Sequence, residues 1–344
     1  MLLFSEYISK WLYDADGYYS RIGQIGKSGD FITSVSVSKF FGGAIANKFV
    51  TLVLNGKLPK NSVICEFGAN SLYAVKDFAS FVAGLYPELL TTIEFLIVEK
   101  NPEVAKKQRV DLEDFFDGKV CFNVVEEITG YEDRVAFVYA NEIFDAFSCE
   151  LLYNGRFAVV NGGKIEFCEQ IPTLLQKASS YGIQKGEVAL GYEEFATTLY
   201  NAFTKSYFVT FDYGQDFARN DFSVRVYREH QTYPLFELTD LAGYFKNSDI
   251  TYDVNFAHLK NSFTESGFSF VDYKNQMSAL VDFGITELLE RYMEKAGADA
   301  YRAEAAKVSR LLSPSGFGER FKMVSFSKGV TVLRMEGKII FTEK

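Results

Sequence analysis

Residues 62–99 read SVICEFGANSLYAVKDFASFVAGLYPELLTTIEFLIVE, and the order of apolar runs in this stretch decides the fold. Ser62 to Phe67 is a short apolar run that stops at Glu66-Phe67-Gly68. Leu72, Val75, Phe78, Ala79 and Val82 then recur at the spacing of one helical face. Ile93 to Glu99 is a second apolar run, closed by an acid. The alternation continues downstream. Pro102 to Leu112 predicts a helix with Asn101 as N-cap and Pro102 in its first turn. Val120 to Val125 reads as a third strand and Arg134 to Ala140 as a fourth, followed at once by Asn141-Glu142. Strands without polar alternation are buried on both faces, and helices between them imply a parallel sheet covered on both sides. The predicted fold class is therefore α/β, with a Rossmann-like sheet.

Further along, Leu151 to Phe167 (LLYNGRFAVVNGGKIEF) carries turn residues at Asn154-Gly155 and Asn161-Gly162-Gly163. That pattern predicts an antiparallel ribbon over about residues 151–168. A helix around Tyr192 to Thr204 leads into a fifth strand, Ser206 to Phe211, which ends at Asp212-Tyr213-Gly214. Polar, tyrosine-rich loops and helices are expected from there to about Leu312. In the tail, Phe321 to Ser327, Gly329 to Met335 and Lys338 to Phe341 read as short strands, two of them closing the sheet as an antiparallel hairpin. The expected division is a cap segment over 1–60, a core over 61–215, a helical and loop insertion over 216–312 and sheet-completing strands over 313–344. The first and third segments are expected to cover the mouth of the sheet.

Composition narrows the function. Of the 344 residues, 48% are hydrophobic and 24% charged, an ordinary globular balance. The 34 Phe and 21 Tyr promise a large buried aromatic area. A net charge of −9 argues against a nucleic-acid partner, because phosphate binding needs clustered Lys and Arg. It suits a basic protein partner, although solubility alone accounts for mild acidity. Cys65, Cys121, Cys149 and Cys168 form no CxxC pair, and Cys65 and Cys121 sit in apolar runs. Buried reduced thiols and a cytoplasmic location are expected, with neither disulfide nor metal. His230 and His258 share no ligand-like spacing and read as surface or satisfied residues. No apolar run reaches the ~18 residues of a membrane span. The start, MLLFSEYISKWLYDADGYY, carries acids and no signal-like core. A homodimer is left open.

In an open parallel sheet, ligands bind outside the carboxyl ends of the strands, where the strand order reverses. The tips here are Glu66-Phe67-Gly68-Ala69-Asn70, Glu99, Asn123-Val124 and Asn141-Glu142. An acid at the second tip, Glu99, can accept both ribose hydroxyls of a nucleoside; the plainer reading is that it caps the next helix. Gly68 lets a ligand approach the backbone, and Asn70 tolerates a left-handed conformation. In Asn141-Glu142-Ile143-Phe144-Asp145 an acid pair can hold a guanidinium by bidentate hydrogen bonds. Equally, Asn141 can cap a helix while Asp145 faces solvent. Gly29-Asp30-Phe31-Ile32-Thr33-Ser34, following Gly23 and Gly26, is either a loop closing over a ligand or a turn.

These short patterns, taken in order, resemble one family along nearly the whole chain. They are Tyr13-Asp14 with Gly17-Tyr18-Tyr19-Ser20, Gly29 to Ser34 with Phe41-Gly42, Glu66-Phe67-Gly68, and Val98-Glu99 with Gln108. Asn141 to Ala146, Asp212-Tyr213-Gly214, Asp249-Ile250-Thr251, Val254-Asn255-Phe256, Gln276, Gly284-Ile285 and Gly318 to Lys322 continue the series. The chain resembles the MidA-like methyltransferases, which include the mitochondrial complex I assembly enzyme that modifies an arginine of an NADH dehydrogenase subunit. The resemblance implies a class I methyltransferase fold, S-adenosylmethionine as cofactor and a protein arginine as acceptor, in a partner such as a respiratory complex subunit. It places Glu66, Gly68 and Asn70 in the cofactor loop, Glu99 on the ribose position, and Asn141 and Glu142, with Asp145, at the reacting centre. Gly29, Asp30, Thr33 and Ser34 fall on the closing segment, and Asn123 completes the expected cofactor contacts. Three stretches depart from the family pattern. Its later loop glycines align with Asn70 and Leu72, its usual Pro with Val35, and its His-Val-Asp with Asp253-Val254-Asn255. The competing reading is a scaffold that binds or assembles partners after losing the cofactor. A nicotinamide dehydrogenase is disfavoured, for the dinucleotide glycine fingerprint is missing.

Overall fold

The computed structural model describes residues 1–20 and 33–331, which form two compact units. The expectations for Gly29 and Asp30, and for the tail strands beyond residue 331, lie outside the described residues.

The larger unit comprises residues 33–141, 199–211 and those from 267 on. Among the described residues the main path of its sheet has seven strands: β1 (Val63–Phe67), β2 (Glu94–Val98), β3 (Cys121–Val125), β4 (Val135–Asn141), β5 (Lys205–Gln215), β6 (Ser269–Asn275) and β7 (Phe321–Lys328); the short strand Val254–Asn255 also pairs with the end of β5. The seven lie in the order β3-β2-β1-β4-β5-β7-β6. The five strands from β3 to β5 pair in parallel. At the far edge β6 and β7 are antiparallel. The order reverses between β1 and β4, so the carboxyl ends of those two strands frame the switch point.

The apolar runs form strands because both faces are covered. Helix α1 (Phe40–Leu54) is apolar nearly all round and buried along most of its length. It meets α2 (Tyr73–Leu85) so closely that a Cβ on Gly42 would sit 2.8 Å from Cβ of Asp77. Only glycine allows that approach. Asn101 caps α3 (Pro102–Phe116), its Oδ1 accepting from the amides of Glu103 and Val104 at 3.0 and 3.2 Å. Phe78 of α2 lies parallel to Tyr139 at 5.6 Å and meets Phe49 and Phe95 edge-on or tilted.

The sheet ends in an antiparallel pair, in which β7 pairs with β6 from upstream in the chain. Its sequence SFVDYKN, with Asp272, Lys274 and Asn275, hides a strand that only a distant partner stabilises. Cys65 and Cys149 are buried and unbridged, but Cys121 is exposed, because β3 is the edge strand, and so is Cys168.

The smaller unit comprises the described N-terminal residues with 142–198 and 212–266. Cys149–Tyr153, Arg156–Asn161 and Lys164–Glu169 form the expected ribbon. Its turns run through Asn154-Gly155 and Gly162-Gly163, all four left-handed, as tight hairpins require. Leu2–Leu3 and Lys185–Ala189 add antiparallel strands to it. Where loops and helices were expected, Arg225–Arg228, Gln231–Pro234 and Asp249–Thr251 make a second antiparallel sheet. These strands are short and polar, and exposed His230 lies in their left-handed turn. His258 is instead buried, bonded to Glu193 at 2.8 Å and flanked by the rings of Tyr181 and Tyr192. Among the described residues no helix is long and apolar enough to cross a membrane.

Phe78→Ala removes the ring on which four aromatic contacts converge. It should cost about 3–5 kcal/mol in denaturant unfolding; a loss under ~1 kcal/mol would show that this stack is not the core.

Candidate functional site

In the larger unit, the loop after β1 decides whether a ligand can reach the backbone. Gly68, Asn70 and Leu72 take φ of 66°, 40° and 60°. The positions where the related pattern has glycine thus keep the left-handed backbone without it. A left-handed Leu costs about 1–2 kcal/mol. Leu72 is 1% exposed and packs into the core under α2, and that burial offsets the cost by about 1.5–3 kcal/mol. Gly68 itself is exposed.

Below the loop, Glu66 points inward. Its carboxyl accepts from the Tyr139 hydroxyl at 2.7 Å and from the amide of Val75 in the first turn of α2. Burial pushes it up to about 8 against those hydrogen bonds. At the tip of β2, Glu99 is half-buried. Oε1 accepts from the amide of Asn101 at 3.0 Å, and Oε2 lies 3.4 Å from Nε2 of Gln108. Burial raises this carboxyl too, and the two hydrogen bonds oppose it. Gln108 also donates to the carbonyl of Asn70 at 3.0 Å, so one buried amide ties the loop to the acid. Its Oε1 is buried and has no hydrogen-bond partner among the described residues. An acceptor in that state beside a carboxylate suits a ligand that brings hydroxyl donors.

Register places Phe67 opposite Ala140, so Gly68 and Asn141 follow on neighbouring strands at the switch point. Asn123 is elsewhere. It pairs with Leu96 in mid-strand, and its Nδ2 donates to Glu94 and Tyr131 at 3.2 and 3.0 Å. β3 ends at Val125, as the apolar run to Val125 indicates, so Asn123 lies two residues before the tip. Thr33 precedes the short helix Ser34–Val37, its amide donating to Ser36 Oγ at 3.2 Å. Ser34 donates to Gln276 Oε1 at 3.0 Å, and Gln276 in turn to the carbonyl of Leu311 at 3.2 Å.

The smaller unit holds a cluster of carboxyls. Glu142, just past β4, is half-buried and left-handed with φ 54°. Asp145 does not face solvent; it is 5% exposed, in the 3-10 turn Phe144–Ala146. Burial pushes it up to about 6, opposed by the Tyr213 hydroxyl, by the amides of Asp145 and Ala146 and by Arg225. Asp212 is fully buried. Burial, then Asp145 and Glu142, raise its carboxyl well above the usual range. Sequence reasoning named Asp212 only as the end of the fifth strand, but β5 runs on to Gln215 and Asp212 lies within it, one residue past the Phe211–Asn141 pair. Asp145 and Glu142 raise Asp212, while Arg225 is the cation that faces Asp145.

A parallel sheet reversing at β1/β4, a left-handed loop there and an acid at the next tip define a nucleotide-cofactor enzyme of the Rossmann-like class. The family described as "Putative S-adenosyl-L-methionine-dependent methyltransferase" matches residues 44–274, and the chain belongs to it. It is therefore a methyltransferase whose cofactor is S-adenosylmethionine. A zebrafish (Danio rerio) relative, the mitochondrial protein arginine methyltransferase NDUFAF7, is 23% identical over 90% of this chain and 79% of its own. A Burkholderia thailandensis protein crystallised with S-adenosyl-homocysteine superposes with TM-score 0.78 at 21% identity, covering 96% of this chain and 89% of the other. A native crystal structure from the same organism gives TM-score 0.78 at 23% identity, over 96% and 88%. At these identities the structural likeness establishes the fold.

Leu72→Gly relieves the backbone but empties a core position. It should destabilise by about 2 kcal/mol in denaturant unfolding, with S-adenosylhomocysteine affinity unchanged within a few-fold by calorimetry. A large gain in affinity would show that Leu72 obstructs the loop. For Glu66, the ordinary value of 4.5 holds in the unfolded chain and about 8 in the folded one. Between these values the folded state holds the extra proton, so its stability falls as pH rises. Glu66→Gln should flatten that decline between pH 5 and 8, read from urea midpoints; an unchanged slope would refute the protonated carboxyl.

Proposed function

We propose that this methyltransferase modifies an arginine side chain of a protein, with a respiratory complex subunit as the substrate class. The observation that carries the reading is the cluster of Glu142, Asp145 and Asp212. A planar, permanently charged guanidinium can donate charge-assisted bidentate hydrogen bonds to such carboxylates, which a neutral acceptor cannot. The name of the zebrafish relative supports the same acceptor.

The cofactor residues fit their group. Glu99 accepts ribose hydroxyls, and Gln108 Oε1 offers the further acceptor. Gly68, Asn70 and Leu72 shape a backbone that a ligand can approach, while Glu66 holds its base through Tyr139 and Val75. When bound, S-adenosylmethionine supplies an electron-poor methyl on a sulfonium, so the protein's task is alignment and exclusion of water. Glu142 orients the guanidinium and keeps its lone pair on one nitrogen. Asp145, pushed up to about 6, takes the proton that the nitrogen releases at a carboxylate oxygen.

The test is methyl transfer from labelled S-adenosylmethionine to arginine-containing subunits, with products located by mass spectrometry. Methyl on arginine is expected; methyl only on other side chains, or none, overturns the reading. Glu142→Gln should lower kcat by about 100-fold and leave cofactor affinity within two-fold. Glu99→Ala should weaken cofactor binding by about 10-fold or more.

A further inference from the structure

We infer that Asp212 is a positioning residue for methyl transfer, clamping the turn that carries Glu142 and Asp145. The inference rests on the arginine-methylation reading above. Asp212 Oδ2 accepts from two consecutive backbone amides, Phe144 at 2.9 Å and Asp145 at 3.3 Å. Its Oδ1 accepts from the amide of Tyr213 at 2.9 Å, which fixes the carboxylate on its own strand.

The rest of the turn is held in the same manner. Tyr192 donates its hydroxyl to the carbonyl of Phe144 at 3.0 Å. The amide of Tyr252 reaches the carbonyl of Asp145 at 3.1 Å, and Tyr13 reaches that of Ala146 at 2.8 Å. Phe144 is fully buried against the rings of Phe147, Tyr192, Phe195 and Phe263. Side chains or backbone from four distant segments thus satisfy a single three-residue turn.

Such bracing has a purpose in the backbone beside it. Glu142 is left-handed, a conformation that a non-glycine residue keeps only where its surroundings over-determine it. Asp212 is the one member of the brace that grips amides, on the side of the turn nearest Glu142 in sequence. Without it, two buried N–H groups lose their acceptor, and the chain from Glu142 to Asp145 gains room to relax. A displacement near 1 Å of the acids costs about 100-fold in rate.

The experiment compares full-length wild type with Asp212→Ala and Asp212→Asn. Asparagine keeps one accepting oxygen for Phe144 and Asp145 and sets an N–H against Tyr213. The expected result is a kcat lower by about 100-fold for Asp212→Ala and about 10-fold for Asp212→Asn. S-adenosylhomocysteine affinity should stay within two-fold, and the amides of Phe144 and Asp145 should exchange hydrogen faster. A wild-type kcat in folded Asp212→Ala, or a kcat that falls only in step with cofactor affinity, overturns the proposal. If Asp212→Ala does not fold, Asp212→Asn decides by the same criteria. Should wild type methylate no arginine, the acceptor reading fails by itself; slow amide exchange at Phe144 and Asp145 that quickens in Asp212→Asn still identifies the clamp.

Discussion

The buried hydrogen bond from Tyr139 to Glu66 joins the two strands between which the sheet reverses its order. It does more than join them. The same carboxyl takes an amide from the first turn of α2, and Phe78 of that helix lies flat on the Tyr139 ring. Strand, strand and helix are therefore fixed to one another at the root of the cofactor loop. A polar group this deep is costly unless every partner is present. The loop above inherits that geometry, which explains how Asn70 and Leu72 hold a left-handed backbone where glycine would adopt it unaided.

Much of this architecture was legible in the letters. β1 to β4, the Asn101 cap and the ribbon turns at Asn154-Gly155 and Gly162-Gly163 depend on local periodicity and local hydrogen bonding, which a sequence displays directly. Helix α1 escaped because a helix buried on all sides has no polar stripe to give it a period. The strands around Tyr227 and Thr232 escaped for the opposite reason, being short and polar and paired with one another and with Asp249–Thr251. β6 depends on a partner far along the chain.

The candidate site divides along the same line. Glu99 and Asp145 were visible as acids at strand ends. What they touch was not. Gln108, turned back to Asn70 and Glu99, and Asp212, gripping two amides of another segment, are joined to their partners only by the fold. Asn123 shows the converse error, a polar residue near a run's end whose side chain serves Glu94 and Tyr131. A left-handed Leu72 is the plainest case, since its letter argues against the conformation its burial enforces.

The interleaving of the two units has a consequence for synthesis. The chain leaves the larger unit after Asn141, returns for Leu199–Phe211, leaves again and comes back at Gly267. β5 adds to the sheet only after the first excursion, and β7, which lies between β5 and β6, is the last of the seven strands to be made. The sheet cannot close while the ribosome is still translating the segments before Phe321, so its apolar faces wait in the nascent chain. Slow refolding is the natural property of a sheet whose inner strand β7 follows its six neighbours in the chain.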